Sequence, residues 1–91
     1  MKIAVRYMAQ LRRVAGTAVE PVELDAPCST TDLLKRLEEQ HDLPFRALLL
    51  DEDGNVRPAV LLFVGDEQVG PETSLLQDGD VVTVLTPMAG G

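Results

Sequence analysis

The chain has 91 residues and a net charge of −7, and at this size about 64% of the unfolded surface is buried, which favours one domain with one core. So acidic a composition argues against binding to nucleic-acid backbones, and the single cysteine, Cys28, excludes an internal disulfide and a cysteine-rich zinc site. No apolar run is long enough to span a bilayer and the first residues resemble no signal peptide, so we expect a cytoplasmic protein without a membrane partner.

Two strands open the chain and predict a hairpin. Residues 2–7 alternate between apolar and polar side chains, the pattern of a strand with one buried face. After Gly16, residues 19–25 predict a second strand, with a turn between the two. Pro21 places this second strand at a sheet edge, because proline cannot donate a hydrogen bond to the ladder.

One helix is predicted next. Ser29 is its expected N-cap, with Asp32 three residues later as a weak form of the capping box. One apolar stripe is formed by the leucines of this segment: Leu33, Leu34 and Leu37. Pro44 ends the helix near Asp42, and residues 45–50 form either a helical turn or a loop that covers the core.

The C-terminal half alternates turns and apolar strands. Its predicted turns lie at residues 51–55, 65–66 and 78–80, and its predicted strands at residues 59–64, 68–69 and 81–85. Four or five strands with one main helix predict an α+β fold of β-grasp type for residues 1–86, with a mixed sheet packed on that helix. Strands 59–64 and 81–85 are apolar on both faces, which indicates a partner-binding outer face unless loops shield it.

Charge is concentrated in the C-terminal half. Residues 1–46 carry seven acids and seven bases, whereas residues 47–91 carry eight acids and one base, Arg57. This predicts acidic surroundings for the C-terminus. A basic partner is one interpretation of these acids, and solubility alone is the other.

The side chains within the domain provide no favoured catalytic group. Cys28 precedes the predicted helix, whose dipole could lower a thiol pKa, but no basic residue is close in sequence. His41 lies in the last turn of that helix, where a structural role is favoured. Residues 51–55 fail as a calcium loop, because Val56 and Leu62 stand where such a loop needs Gly and Glu, and we expect no metal site.

The C-terminus carries the clearest functional signal. Residues 87–89 include no charged side chain, and Gly90 and Gly91 end the chain. We expect residues 87–91 to form a flexible tail that threads a narrow channel, since glycine lets a backbone approach a partner's reacting atoms closely; a frayed end is the alternative. Once adenylated, the Gly91 carboxylate would react with sulfide or a persulfide to give a thiocarboxylate, or with an amine or thiol to give an amide or thioester.

Two segments resemble the ubiquitin-like sulfur-carrier family, which includes the small subunit of molybdopterin synthase and the thiamine-pathway carrier. They are Tyr7-Met8-Ala9-Gln10-Leu11-Arg12-Arg13-Val14-Ala15-Gly16 and Leu76-Gln77-Asp78-Gly79-Asp80 with the ending Ala89-Gly90-Gly91. The first is most similar to the molybdopterin synthase subunit. Residues 50–58 instead resemble a loop of cysteine-biosynthesis carriers and archaeal protein modifiers. The chain departs from the family pattern at Thr86, often proline, and at Gly65-Asp66, usually Asn-Gly.

The resemblance implies a carrier protein rather than an enzyme. Gly91 would carry the thiocarboxylate and Gly90 would support insertion, while an E1-like adenylating enzyme would use ATP, so that the chain itself binds no cofactor. The acceptor would be an enzyme such as the large subunit of molybdopterin synthase. The implied partner contacts, to which we add Phe63 from its position in the strand, are Met8, Phe63, Leu85, Pro87, Met88 and Ala89.

Three functions remain open from the sequence. A sulfur carrier is favoured, with molybdopterin biosynthesis as the first pathway and cysteine, thiamine or tRNA thiolation as alternatives. The second function is a ubiquitin-like modifier joined to lysines through Gly91. The third is a β-grasp interaction module with no carrier chemistry.

Overall fold

The computed structural model describes residues 1–70 and 75–86, in which five strands form one mixed sheet. The elements in chain order are β1 (Lys2–Tyr7), α1 (Ala9–Ala15), β2 (Val19–Glu23), α2 (Thr30–Gln40), α3 (Leu43–Leu49), β3 (Leu61–Val64), β4 (Glu67–Val69) and β5 (Val81–Leu85). The sheet order is β2-β1-β5-β3-β4. β1 and β5 are parallel, and the other neighbouring strands are antiparallel. The predicted mixed sheet is confirmed, and β2 lies at the edge that Pro21 indicated.

Three helices accompany this sheet in the described part of the chain, so the prediction of one main helix is wrong. α1 occupies the segment expected to be a turn, and Gly16 ends it with a φ of 78° and an N–H that donates to the Arg12 carbonyl. Of the two alternatives for residues 45–50, the helical one is correct, but the helix, α3, is longer and begins before Pro44. Pro44 lies in its first turn, where a missing N–H costs no hydrogen bond, so this proline begins a helix.

Local hydrogen bonds explain the other boundaries. The Ser29 side chain accepts from the Asp32 N–H while the Asp32 side chain accepts from the Ser29 N–H, so the weak capping box of the sequence is complete in the structure. The predicted strand 59–64 begins only at Leu61, because the Val60 N–H donates to the Arg57 carbonyl in a turn.

The core lies on the face of the sheet that the helices cover. Its buried members come from all strands but β4, from all three helices and from the segment before β5. They include Ile3, Val5, Tyr7, Leu11, Leu33, Leu34, Leu37, Phe45, Leu49, Leu62, Leu76, Val82 and Val84. Burial of such a side chain contributes about 1.5–3 kcal/mol, so aliphatic burial supplies the main stabilisation of the fold. In the described part of the chain, no helix is long and apolar enough to cross a membrane.

Candidate functional site

The face of the sheet opposite the core carries a row of apolar side chains. Register pairs Leu61 with Leu85 and Phe63 with Thr83 across β3 and β5, and side chains alternate along a strand, so these four share one face. We call this surface the outer face; it consists of Leu61, Phe63, Val81, Thr83 and Leu85. All five are half-buried, and none belongs to the core cluster.

The prediction that Phe63 shares a face with Leu85 therefore agrees with the register. Phe63 lies diagonally across from Leu85, a spacing that an aromatic side chain can bridge. A contiguous apolar surface of this kind is typical of protein–protein contacts. The arrangement can hold a protein partner without any catalytic group of its own.

Met8 borders the outer face at the end of β1. Its N–H donates to the Val84 carbonyl, which sets it beside the end of β5, and 41% of its surface is exposed. The next residue, Ala9, has a φ of 53°, a left-handed conformation that costs a residue with a Cβ about 1–2 kcal/mol. The chain thus turns sharply from β1 into α1 directly at this border.

The tail begins at the same end of the sheet. Because β1 and β5 are parallel and pair Tyr7 with Val84, the end of β5 adjoins the start of α1; we call this the tail end. Thr86 is 4% exposed, and its hydroxyl has no hydrogen-bond partner among residues 1–70 and 75–86. The predicted site residues Pro87, Met88, Ala89, Gly90 and Gly91 lie outside the described residues.

Acidic residues of the C-terminal half gather at the opposite end of the sheet. The turn of Asp66 and Glu67 lies there, because Val64 pairs with Val82 near the start of β5. The turn of Asp78 to Asp80 lies there too, since the Lys2 N–H donates to Asp78. The prediction of acidic surroundings for the C-terminus is therefore wrong for these four acids, because the length of β5 separates both turns from Thr86.

A partly buried polar cluster lies on the helix side of the sheet. The Tyr7 hydroxyl donates to Glu20 Oε1 over 2.7 Å, and His41 Nε2 lies 2.7 Å from the same oxygen. The His41 ring stacks on Phe45 with centroids 4.1 Å apart. Burial raises the pKa of Tyr7 above its usual range, and the bond to the Glu20 carboxylate raises it further. These contacts give His41 a packing role.

Cys28 also lies on the helix side, half-buried against the core. Burial raises the pKa of its thiol, and the charge of Asp32 adds to that rise. The helix dipole therefore does not activate this cysteine, because a raised pKa leaves less thiolate. Within the described ranges no group of three His, Cys, Asp or Glu side chains could hold a metal ion.

Sequence reasoning missed α1 and the two basic side chains in its last turn, Arg12 and Arg13. A usable signal was present, since six of the seven residues 9–15 are good helix formers and Gly16, the residue type favoured just after a helix, follows them. Only Leu11 of this helix is buried among the core residues, so the apolar periodicity that reveals longer helices is missing.

The β-grasp sheet, with an apolar outer face beside the start of a C-terminal tail, defines a ubiquitin-like protein. The ThiS family model matches residues 5–91, and the chain belongs to the ThiS family. It is 34% identical over 95 residues to small archaeal modifier protein 3 of Haloferax volcanii. It is 33% identical over 92 residues to the molybdopterin synthase sulfur carrier subunit of Chlamydomonas reinhardtii. Both alignments cover all of both chains.

A solved structure confirms the fold. The crystal structure of SAMP1 from Haloferax volcanii superposes with a TM-score of 0.88, at 21% identity and with full coverage of both chains. The relatives are named as modifiers and as a carrier subunit, and not as catalytic enzymes. The predictions of a ubiquitin-like sulfur-carrier family and of a non-catalytic protein are thereby confirmed.

Proposed function

We propose that this protein is a sulfur carrier whose Gly91 carboxylate is adenylated by an E1-like enzyme and converted to a thiocarboxylate. The observation that carries the proposal is the family match, which extends to the last residue and so includes Gly90 and Gly91. The outer face supports the proposal. Ordering the backbone of a tail inside a partner costs about 1–2 kcal/mol per residue, and a docking surface on the domain is needed to offset that cost.

The chemistry follows from the carboxylate. A Gly91 oxygen attacks the α-phosphorus of ATP, which releases pyrophosphate and leaves an acyl-adenylate. Hydrosulfide then attacks the carbonyl carbon and displaces AMP, which leaves the thiocarboxylate. A persulfide donor would form an acyl disulfide instead, and a second thiol would have to cleave it. The chain supplies the carboxylate, and the partner supplies the catalytic groups and the ATP site.

The covalent reach of the tail connects the outer face to this chemistry. Five residues span at most about 17 Å when fully extended, so the reacting atoms of a partner must lie within that distance of Thr86. Met8 and Leu85 adjoin Thr86 at the tail end. A partner that accepts Gly91 therefore has to cover this part of the outer face.

Molybdopterin biosynthesis is the pathway we propose, with the large subunit of molybdopterin synthase as the sulfur acceptor. The relative from Chlamydomonas reinhardtii is named as a sulfur carrier subunit of that synthase, and residues 7–16 resemble the same subunit. The second candidate is a modifier joined to lysines through Gly91, which the similarity to small archaeal modifier protein 3 favours.

Intact-mass spectrometry tests the proposal. We expect incubation with the adenylating enzyme of the same organism, ATP and sulfide to give the mass change of one oxygen-to-sulfur exchange. Deletion of Gly91 should abolish the exchange and leave Tm unchanged, whereas the control Cys28→Ser should retain it. No ATP-dependent product, or a fall of several degrees in Tm on deletion, would contradict the carrier. Lysine adducts in cell extract without the exchange would favour the modifier.

A further inference from the structure

Three exposed arginines lie on the elements that meet at the tail end of the sheet, β1 and α1. Arg12 and Arg13 occupy the last turn of α1, and Arg6 lies on β1 opposite Thr83, pointing to the same side of the sheet as the outer face. All three are exposed. Arg12 and Arg13 also line an open hollow of about 550 Å³ between α1 and the loop that leads into β2.

These guanidinium groups have no carboxylate partner among residues 1–70 and 75–86. The ion pair found there joins His41 to Glu20, and Glu20 also accepts from Tyr7. Arginines in the last turn of a helix favour its dipole by about 0.3–1 kcal/mol. That effect explains the position of Arg12 and Arg13 on α1, and it requires no carboxylate partner.

Seven of the charges are therefore separated along the strands. Asp66, Glu67, Asp78 and Asp80 lie at the end opposite the tail, while Arg6, Arg12 and Arg13 lie on β1 and α1 towards the tail end. Separation of this kind orients an approaching protein before contact, because opposite charges attract and like charges repel over about a Debye length. An acidic partner surface would meet the tail end and be repelled by the other end.

From this separation we infer that the adenylating enzyme presents acidic side chains to Arg6, Arg12 and Arg13. The inference rests on the proposed function, since it concerns the partner that activates Gly91. It adds a contact that the apolar outer face does not supply. Apolar contact sets how tightly the partners hold each other, whereas this charged contact sets how fast and in which orientation they meet.

Charge reversal tests the inference with the full-length protein and the adenylating enzyme of the same organism. The double variant Arg12→Glu/Arg13→Glu is compared with Lys35→Glu/Arg36→Glu, a control on the exposed side of α2. Both doubles change two bases to acids, so both change the net charge from −7 to −11. We expect the α1 variant to lower kcat/KM for adenylation at least tenfold at low salt, with kcat retained and the loss shrinking as salt rises.

The kcat/KM of the control should stay within about twofold of the value for the unmodified protein. Circular dichroism should show that both variants are folded. An acid-to-arginine change on the contacting surface of the enzyme should restore the rate of the α1 variant. Equal losses in both doubles, or a loss that salt does not change, would overturn the inference while leaving the proposed function intact. Absence of adenylation in the unmodified protein would overturn both. Duplex DNA that binds the unmodified protein but not the α1 variant, with adenylation unaffected, would overturn the inference in favour of phosphate recognition.

Discussion

The two faces of the sheet use the same strands but have different surroundings. Along β5, Val82 and Val84 are fully buried under the helices, whereas Val81 and Leu85 are half-buried on the outer face. A strand with one solvated face normally alternates apolar and polar side chains. β5 does not alternate, so its outward apolar residues are not explained by the packing of the domain itself.

Polar chemistry divides between the faces in the same way. The hydrogen-bonded cluster of Tyr7, Glu20 and His41 lies on the helix side, and the Cys28 thiol packs against the core. Each of these groups has contacts that hold the fold together. The outer face has apolar side chains, arginines at its border that form no ion pair within residues 1–70 and 75–86, and the start of the tail. This comparison assigns stability to one face and recognition to the other.

The largest expected effect is a difference in the free energy of unfolding between alanine substitutions at two adjacent leucines of β3. Leu62→Ala removes a buried side chain from the helix-covered face and should lower the free energy of unfolding by about 2–5 kcal/mol. Leu61→Ala, its matched control on the outer face, should lower it by about 1 kcal/mol or less, because less of that side chain is removed from water.

Urea unfolding of both variants measures the difference. Equal destabilisation would show that Leu61 packs as a core residue, and the division between the faces would then be wrong. A large effect of Leu62→Ala alone would support it.

The sequence predicted the elements whose pattern is repeated along several residues. Ile3, Val5 and Tyr7 alternate over a whole strand, and the leucines of α2 recur at helical spacing, so both elements are confirmed. α1 was missed because seven residues with one buried side chain show no period. α3 was misjudged because Pro44 is compatible with a helix start as well as with a helix end.

The candidate site was predictable only in part, because strand parity is local and sheet order is not. Phe63 and Leu85 could be placed on one face from alternation once β3 and β5 were taken as strands. The distance of Asp66 from the tail could not, since it depends on β3 and β5 being antiparallel neighbours. Proximity in sequence to the C-terminus was therefore a poor guide to which acids lie near the tail.

A smaller effect is expected on KM for adenylation, which should respond to a charge on the outer face and not to a charge on α3. Phe63→Asp places a charge on the outer face and should raise KM for adenylation about tenfold, equivalent to about 1.4 kcal/mol, with little change in Tm. Leu43→Asp is the control, because Leu43 is apolar and 68% exposed but lies in α3. Equal KM values for the two variants would mean that the partner does not bind the outer face, and unfolding of Phe63→Asp would mean that Phe63 belongs to the core.

The smallest expected effect concerns the polar cluster on the helix side. Tyr7→Phe removes the hydrogen bond to Glu20 and should lower the free energy of unfolding near pH 7 by about 1 kcal/mol. Burial raises the pKa of Tyr7 above the ordinary value of 10.0, so folding favours the protonated phenol. The contribution of the protonated phenol to the free energy of unfolding is complete below pH 10. Above pH 10 it declines by up to about 1.4 kcal/mol per pH unit.

The stabilities of the unmodified protein and Tyr7→Phe should therefore converge as the pH rises from 10 to 11. Urea titrations at pH 7, 10 and 11 measure this convergence, and the variant serves as the control for all other groups that titrate in the range. A constant difference would mean that Tyr7 has the same pKa in the folded and unfolded chains.

Adenylation of Gly91 at neutral pH should be the same in both proteins, because the polar cluster lies on the opposite side of the sheet from the outer face. A loss of adenylation without unfolding would show that recognition depends on the helix side as well.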